Sequence, residues 1–175
     1  MEYEKLLDEL QGGENTFLFN IKTRLVWRHD KFISLLKYML EYCEYRYKDI
    51  ETKNEAIFPN ENETQNETET QNENETQNET ETQNETETQN ETDNKNIDNE
   101  YHKAMSKGFW YISWFIKEWT IHENFRRMNP KSDEYYNIAY ELIHAISLWY
   151  FIEECPYMNC KDFYNDLRRL EKLKY

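Results

Sequence analysis

Apolar residues recur at intervals of three and four along much of this chain, the spacing that gathers side chains on one face of an α-helix. The first such segment stops at Gly12-Gly13, where glycine can adopt the left-handed helix terminus. A longer segment follows Asp30, a residue type favoured at helix N-caps. The apolar positions of these two segments are Tyr3, Leu6, Leu7 and Leu10, and then Phe32, Ile33, Leu36, Met39, Leu40, Cys43, Tyr47 and Ile50. Both segments are predicted to form amphipathic helices.

The C-terminal half carries three more helical patterns. We expect them to begin at Asp98 or Asn99, at Asn129-Pro130 or Ser132, and at Asn159, with Cys155-Pro156 ending the second. Their inward positions are predicted to be Tyr101, Met105, Tyr111, Phe115 and Trp119; Tyr135, Ile138, Ala139, Leu142, Ile143, Ile146, Trp149 and Ile152; and Phe163, Leu167, Leu170 and Leu173. Gly108 interrupts the first pattern and is expected to let another helix approach closely.

The stretch from Thr16 to Trp27 fits two structures. Its two apolar runs could pair as a small β-hairpin, and Phe17, Ile21 and Leu25 also share one helical face. We favour the helix, because an isolated two-stranded hairpin is marginal in water and the chain offers no other strand to pair with it.

Residues 59–97 form a low-complexity segment that repeats Thr-Gln-Asn-Glu-Thr-Glu with small slips. Between Asn60 and Asn96 it contains no apolar residue, so it cannot offset the entropy lost on ordering. The segment from 60 to 100 has fourteen acidic residues and one lysine, which accounts for 13 of the 14 net negative charges of the chain. We predict a disordered acidic linker.

These patterns predict an all-α fold, an antiparallel bundle of four to five helices interrupted by the long disordered acidic linker. The N-terminal helical segment, 1–58, and the aromatic-rich C-terminal segment, 98–175, are expected to pack together into one bundle. Without residues 60–100 the chain keeps all 28 of its aromatic residues, and a domain of that size can build one core.

Charge and targeting signals limit the classes of function. Outside residues 60–100 the net charge is −1, which gives no field to attract a polyanion and disfavours nucleic acid as a partner. No apolar run reaches the ~20 residues of a membrane-spanning helix. Three cysteines, an odd number without an export signal, favour free thiols in a reducing compartment. We therefore expect an intracellular, cytoplasmic protein.

Arg24 and His29 are separated by four residues. In an all-α context this spacing resembles the Arg-x4–6-His motif of HEPN-type ribonucleases. The resemblance implies that Arg24 and His29 would serve an RNA-cleaving site at a dimer interface. It covers this motif alone, and the motif usually lies late in the family's bundle, whereas here it lies early. The interpretation without catalysis is a surface arginine and an exposed histidine beside a helix cap.

Two pairs of residues could bind metal. Glu141 and His144 form a Glu-x-x-His motif, which di-metal bundles use twice together with two further glutamates, but a second copy is missing. We interpret the pair as exposed. Cys155 and Cys160 could bind zinc or form a disulfide, although a zinc site needs four ligands, and we favour free thiols. The sequence thus predicts neither a metal nor a cofactor.

Aromatic residues crowd the segment from Phe109 to Phe125, and most are expected in the core. Trp110, Trp114 and Phe125 fall on other faces and are our candidates for an interaction surface, since tryptophan is favoured at interface centres. The preferred hypothesis is a non-enzymatic protein–protein interaction or oligomerisation module, with an unknown protein or a second copy as partner. The alternatives are a HEPN-like nucleic-acid-processing or nucleic-acid-binding bundle, and an acidic linker that mimics nucleic acid.

Overall fold

The computed structural model describes the backbone of residues 3–57 and 87–173 and the side chains of residues 3–48 and 100–173. Over these ranges the regular structure is entirely helical. Short α2 continues directly into a single π-helical segment, Asn20–Arg24. The helices are α1 Tyr3–Gln11, α2 Phe17–Phe19, α3 His29–Ile57, α4 Glu87–Thr120, α5 Glu123–Met128, α6 Asp133–Ile152 and α7 Asp162–Lys172.

The five longer helices pack as a bundle, in which α6 contacts α3, α4 and α7, and α1 contacts α3 and α4. The α6–α7 pair illustrates the antiparallel arrangement. Trp149, late in α6, stacks on Phe163, early in α7, with ring centroids 5.5 Å apart. Glu134, early in α6, pairs with Arg169, late in α7. The predicted all-α antiparallel bundle is confirmed.

The core is continuous through the bundle and consists largely of the apolar positions that the helical spacing predicts. Aromatic rings form much of it, with Phe17, Phe32, Phe109 and Tyr135 fully buried. Phe109 stacks on Tyr150 with 4.2 Å between ring centroids. Other ring pairs join α1 to α3, α2 to α3 and α6 to α7, so aromatic contacts hold the bundle together at several helix interfaces.

The ambiguous stretch after α1 is helical, as we favoured, and the hairpin does not form. Gly12 adopts the left-handed conformation with φ = 76°, which ends α1. The Thr16 hydroxyl then accepts a hydrogen bond from the Phe19 N–H at 3.1 Å and caps α2. Leu25, also left-handed, ends the π-helical segment.

Several predicted helix boundaries differ from the observed ones. Asp30 does not precede α3 but lies in its first turn, where it accepts hydrogen bonds from the Arg28 guanidinium at 3.1 and 3.0 Å. These bonds lower the pKa of the Asp30 carboxyl.

Residues 58–86, which hold most of the predicted 59–97 linker, lie outside the described residues. Helix α4 begins at Glu87, before the Asp98 or Asn99 that we predicted.

The C-terminal boundaries agree more closely. Ser132 caps α6, because its hydroxyl accepts from the Tyr135 N–H at 3.1 Å. The helix ends before Cys155-Pro156, at Ile152, where Glu153 takes a left-handed conformation with φ = 58°. Asn159 is not the residue before α7, which begins at Asp162.

Glu9 is a buried carboxylate at the junction of α1 and α2. Its Oε2 accepts a hydrogen bond from the Phe17 N–H at 2.8 Å, so it satisfies a backbone donor of the α2 N-terminus. Burial nevertheless raises the pKa of Glu9, and the hydrogen bond opposes that shift only in part. A raised folded-state pKa means that the folded protein holds this proton more tightly than the unfolded chain does. Stability contributed by Glu9 is therefore lost as pH rises from about 4.3, the ordinary glutamate value, through the raised value.

We expect Glu9→Gln to raise the melting temperature at pH 7 but to leave it nearly unchanged near pH 4. Glutamine keeps an oxygen acceptor for Phe17 and removes the buried charge, whereas near pH 4 the native carboxyl is already largely protonated. Thermal unfolding followed by circular dichroism at both pH values measures the difference. Glu14→Gln is the control, because Glu14 is exposed in the turn that follows α1. An equal gain at both pH values would show that the charge of Glu9 is not the cause.

Candidate functional site

Helices α4 and α6 lie side by side and run antiparallel. The Ser106 and Tyr150 hydroxyls are 2.8 Å apart at one end of the pair, and those of Thr120 and Tyr140 are 2.7 Å apart at the other. Between them, the Ser147 hydroxyl donates to the Phe109 carbonyl at 3.3 Å. Such direct contact between a side chain and the neighbouring backbone requires a small residue at position 147, and it brings the two helices close.

The outward faces of the same two helices form an apolar groove of about 370 Å³, which we call the α4/α6 groove. Trp110 and Trp114 form its α4 wall, with 60% and 53% of their surfaces exposed. Their rings are nearly parallel, with an interplanar angle of 8° and centroids 6.2 Å apart. Leu148 and Phe151, both exposed, form the α6 wall.

The three predicted interaction residues therefore separate. Trp110 and Trp114 are exposed side by side as expected, but Phe125 on α5 is only 4% exposed and belongs to the core. Its assignment to a surface was wrong. The sequence placed Phe125 off the main stripe of the preceding helix, but a turn separates that helix from α5 at residues 121 and 122. This break rotates the face that Phe125 presents.

Polar residues also line the groove. They are Ser113, Lys117 and Glu118 of α4 and His144 and Ser147 of α6. The groove thus combines large apolar walls with a few polar groups, a composition typical of binding sites.

Glu141 and His144, the predicted half of a di-metal site, are both exposed on α6. His144 lines the α4/α6 groove. Among the described residues, no group of three or more histidine, cysteine, aspartate or glutamate side chains is arranged to hold a metal ion. The structure therefore places His144 in an apolar surface groove rather than among other ligands.

Cys155 and Cys160 are joined by a disulfide in the loop between α6 and α7, with their Cα atoms 6.0 Å apart. This corrects our preference for free thiols at these positions and takes both sulfur atoms away from zinc binding. Cys43 is a free thiol buried in α3, where it donates to the Ile146 carbonyl at 3.6 Å. Burial raises the pKa of Cys43, which disfavours the reactive thiolate.

Arg24 and His29 have different partners. The exposed Arg24 guanidinium lies 5.5 Å from the centroid of the Phe19 ring and bonds to Asn20 within the same helical segment. His29 is half-buried at the start of α3, and its Nδ1 lies 2.7 Å from the Tyr135 hydroxyl of α6. The hydroxyl of Tyr135 also accepts a bond from Trp27 Nε1 at 2.8 Å. Tyr135 thus holds His29 in a network that joins two helices.

Asn129, a residue that the sequence analysis treated only as a possible helix start, is the centre of this network. Its side-chain oxygen accepts from the Trp27 N–H at 2.7 Å, and its amide donates to the Leu25 and Phe125 carbonyls at 2.9 and 3.0 Å. The Tyr136 hydroxyl donates to the Asn129 carbonyl at 2.7 Å. One asparagine therefore ties the segment before α3 to the loop before α6.

A second cleft, of about 520 Å³, lies between α1, the π-helical segment and α4. Its lining includes Leu10, Gly108 and Tyr111 together with Lys22 and Lys107. The Lys22 ammonium lies 4.5 Å from the centroid of the Tyr111 ring, a cation–π distance. A native side chain thus already engages one wall of this cleft.

Within residues 3–57 and 87–173, no helix contains a stretch that is both apolar enough and long enough to cross a bilayer. The described residues form an all-α bundle that carries an exposed aromatic groove between α4 and α6. No family model, curated protein sequence or solved structure gives a significant match to the chain. Its function is therefore argued from the groove itself.

Proposed function

We propose that this protein is a non-enzymatic helical interaction module whose binding surface is the α4/α6 groove. The observation that carries the proposal is the pair of stacked, half-exposed tryptophans, Trp110 and Trp114, which face Leu148 and Phe151 across the groove. Scattered apolar residues on a surface need no explanation, whereas a contiguous patch of large apolar side chains is typical of a binding site.

The physical reason lies in what the two indoles contact. Each keeps more than half of its surface in water, although the bundle has a well-filled aromatic core a few ångströms away. Covering apolar surface contributes about 25 cal/mol per Å², and tryptophan is among the residues whose truncation weakens interfaces most. A partner that covers both rings would therefore gain binding energy that the isolated bundle leaves unused.

The shape of the site supports a helical partner. Two antiparallel helices with a furrow between them can accept a third helix, which places residues of one face into the furrow. From Trp110 to Lys117 the furrow runs along about two helical turns, at 1.5 Å per residue. Leucine-sized side chains spaced one turn apart would fit between the tryptophan wall and the wall formed by Leu148 and Phe151.

Photo-crosslinking tests this function. We expect full-length protein carrying Trp114→p-benzoyl-phenylalanine to form one discrete crosslinked species in its native cell, and Trp110→Ala in the same chain to reduce the yield severalfold. Met158 provides the matched control, because it is an isolated, fully exposed apolar residue in the loop before α7. Absence of a crosslink from position 114, or an equal crosslink from position 158, would overturn the proposal.

A further inference from the structure

The cleft between α1, the π-helical segment and α4, which we call the α1/α4 cleft, has small residues on its α4 side. Ala104 and Gly108 lie one turn apart and both line it, and Leu10 of α1 packs against Gly108. Because such small side chains fill little of the space beside α4, a volume of about 520 Å³ stays open. This volume lies within the ~300–1,000 Å³ of small-molecule sites.

The charges in the lining of the α1/α4 cleft are all positive. Lys22 belongs to the π-helical segment, and Lys107 lies one turn before Tyr111 on α4. Among the described lining residues there is no aspartate or glutamate. Within residues 3–48 and 100–173, neither lysine forms an ion pair. The two ammonium groups therefore border the cleft without a carboxylate to neutralise them.

Aromatic rings hold one of these charges in place. The Lys22 ammonium lies 4.5 Å from the centroid of the Tyr111 ring and 5.3 Å from that of Phe115. The two rings are stacked on each other, with centroids 5.1 Å apart. A cation–π contact attracts the ammonium, which still has N–H groups to donate to an anion. Since Lys22 is already positioned, it loses less freedom when a ligand binds.

The apolar part of the lining favours an alkyl chain over an aromatic ring. The ring of Tyr111 already contacts Lys22 and Phe115, and the other apolar groups are those of Leu10 and Ala104. From Ala104 to Tyr111 the cleft follows α4 for about 10 Å, at 1.5 Å per residue. This elongated aliphatic surface matches a single alkyl chain that lies along α4.

We propose that the α1/α4 cleft binds a small anionic amphiphile, an alkyl chain that ends in a carboxylate or a phosphate group. The anionic group bonds to Lys22 and Lys107, and the amide of Gln11, which also lines the cleft, donates a further hydrogen bond. The alkyl chain lies against Leu10 and Ala104. This inference goes beyond the proposed function, because the cleft and the α4/α6 groove share no lining residue.

Both parts of the ligand contribute to its recognition. Lys22 and Lys107 are exposed, so water and salt weaken their attraction for an anion, and charge alone gives little affinity. Each methylene group that the cleft covers adds hydrophobic free energy. The affinity should therefore depend on the sign of the charge and on the length of the chain.

Titration of the purified full chain with sodium decanoate, followed by NMR of the backbone amides, tests the inference. We expect saturable shifts centred on residues 10–22 and 104–111, with a dissociation constant of about 0.1–1 mM. Hexanoate should bind at least fivefold more weakly because its chain is shorter. Decyltrimethylammonium, which has the same chain and a positive charge, should not shift these amides. Decyl phosphate is titrated in parallel, and the tighter binder identifies the anionic group.

Matched substitutions locate the binding in the cleft. Lys22→Met and Lys107→Met should each weaken decanoate binding about three- to tenfold, whereas Lys22→Arg keeps the charge and should stay within about threefold of the native affinity. Ala104→Leu should abolish binding, because the larger side chain fills the space beside α4. Lys103→Met is the control, since Lys103 is exposed on α4 and does not line the cleft. Circular dichroism checks that each variant is folded.

Absence of saturable shifts with either anion, or equal binding by decanoate and decyltrimethylammonium, would overturn the inference. Native affinity in a folded Ala104→Leu variant would overturn it as well, because the ligand would then lie elsewhere. These failures are distinct from failure of the proposed function. A protein that binds decanoate in the cleft but gives no crosslink from position 114 would keep this site and lose only the interaction module.

Discussion

Replacing Asn129 by alanine should lower the free energy of unfolding by about 3 kcal/mol, an effect near the top of the range for a single substitution. The change removes an acceptor for the Trp27 N–H and a donor for the Leu25 carbonyl. Asn129 itself is 8% exposed, so water does not readily replace its amide. A buried polar group left without a partner costs about 1–3 kcal/mol, and two such groups result here.

Urea-induced unfolding of the full chain measures this loss. Asn137→Ala is the matched control, because Asn137 is exposed on α6 and its substitution should change stability by no more than about 0.5 kcal/mol. If Asn129→Ala and Asn137→Ala were equally stable, the network around Asn129 would contribute little, and our account of how the segment before α3 is held would be wrong.

The second large effect concerns Gly108, at which α1 approaches α4. A Cβ atom at this position would lie 2.7 Å from the Cβ of Leu10. Such a close approach was expected from the glycine in the sequence, and α1 is the helix that makes it. Because the conflicting atom is attached directly to the α1 backbone, the side chain of Leu10 cannot relieve the overlap by rotating, and the whole helix must move.

We therefore expect Gly108→Val to destabilise the protein by about 2–3 kcal/mol, within the range measured for overpacked cores, and to loosen α1. Hydrogen exchange of the α1 amides should increase together with the loss of stability. Lys103→Val introduces the same residue at an exposed position of α4 and controls for the helix propensity of valine. Equal stability of the two variants would mean that the packing of α1 against α4 does not require glycine at position 108.

Much of the fold could be predicted because its determinants are local. The spacing of apolar residues predicted the long helices. Gly12 ends α1 and Ser132 caps the start of α6, as their residue types favour. The preference for helix between residues 17 and 24 was also correct, since it followed from the lack of a strand to pair with. In each case the deciding interactions lie within a few residues in the sequence.

What the sequence did not reveal depends on contacts between distant segments. Glu9 and Asn129 are polar residues in positions where a helix end or loop is expected, and nothing nearby indicates that their partners are Phe17 and Trp27. Phe125 looked like a surface residue because the turn at residues 121 and 122, which separates α5 from α4, was not expected from the sequence. Such a turn can shift the helical register by one residue. Such a shift by a single residue rotates a helical face by about 100°.

Only one wall of the α4/α6 groove could be predicted from the sequence, because the other wall depends on a contact between distant segments. Placing Trp110 and Trp114 off the core stripe needs only the periodicity of α4. Their opposite wall, Leu148 and Phe151, comes from α6, and its register against α4 is set by the close approach of Ser147 to Phe109.

The contacts around Trp27 and His29 also bear on how the chain reaches its native state. These two residues bond to partners 102, 106 and 108 positions away, so each bond closes a loop of more than half the chain. Closing long loops slows folding, because the entropy of the intervening residues is lost before the contact forms. During synthesis on the ribosome, the first fifty residues emerge long before Asn129 and Tyr135 exist, and Trp27 must wait for them. We therefore expect the segment before α3 to reach its native contacts only after Asn129 and Tyr135 have been made.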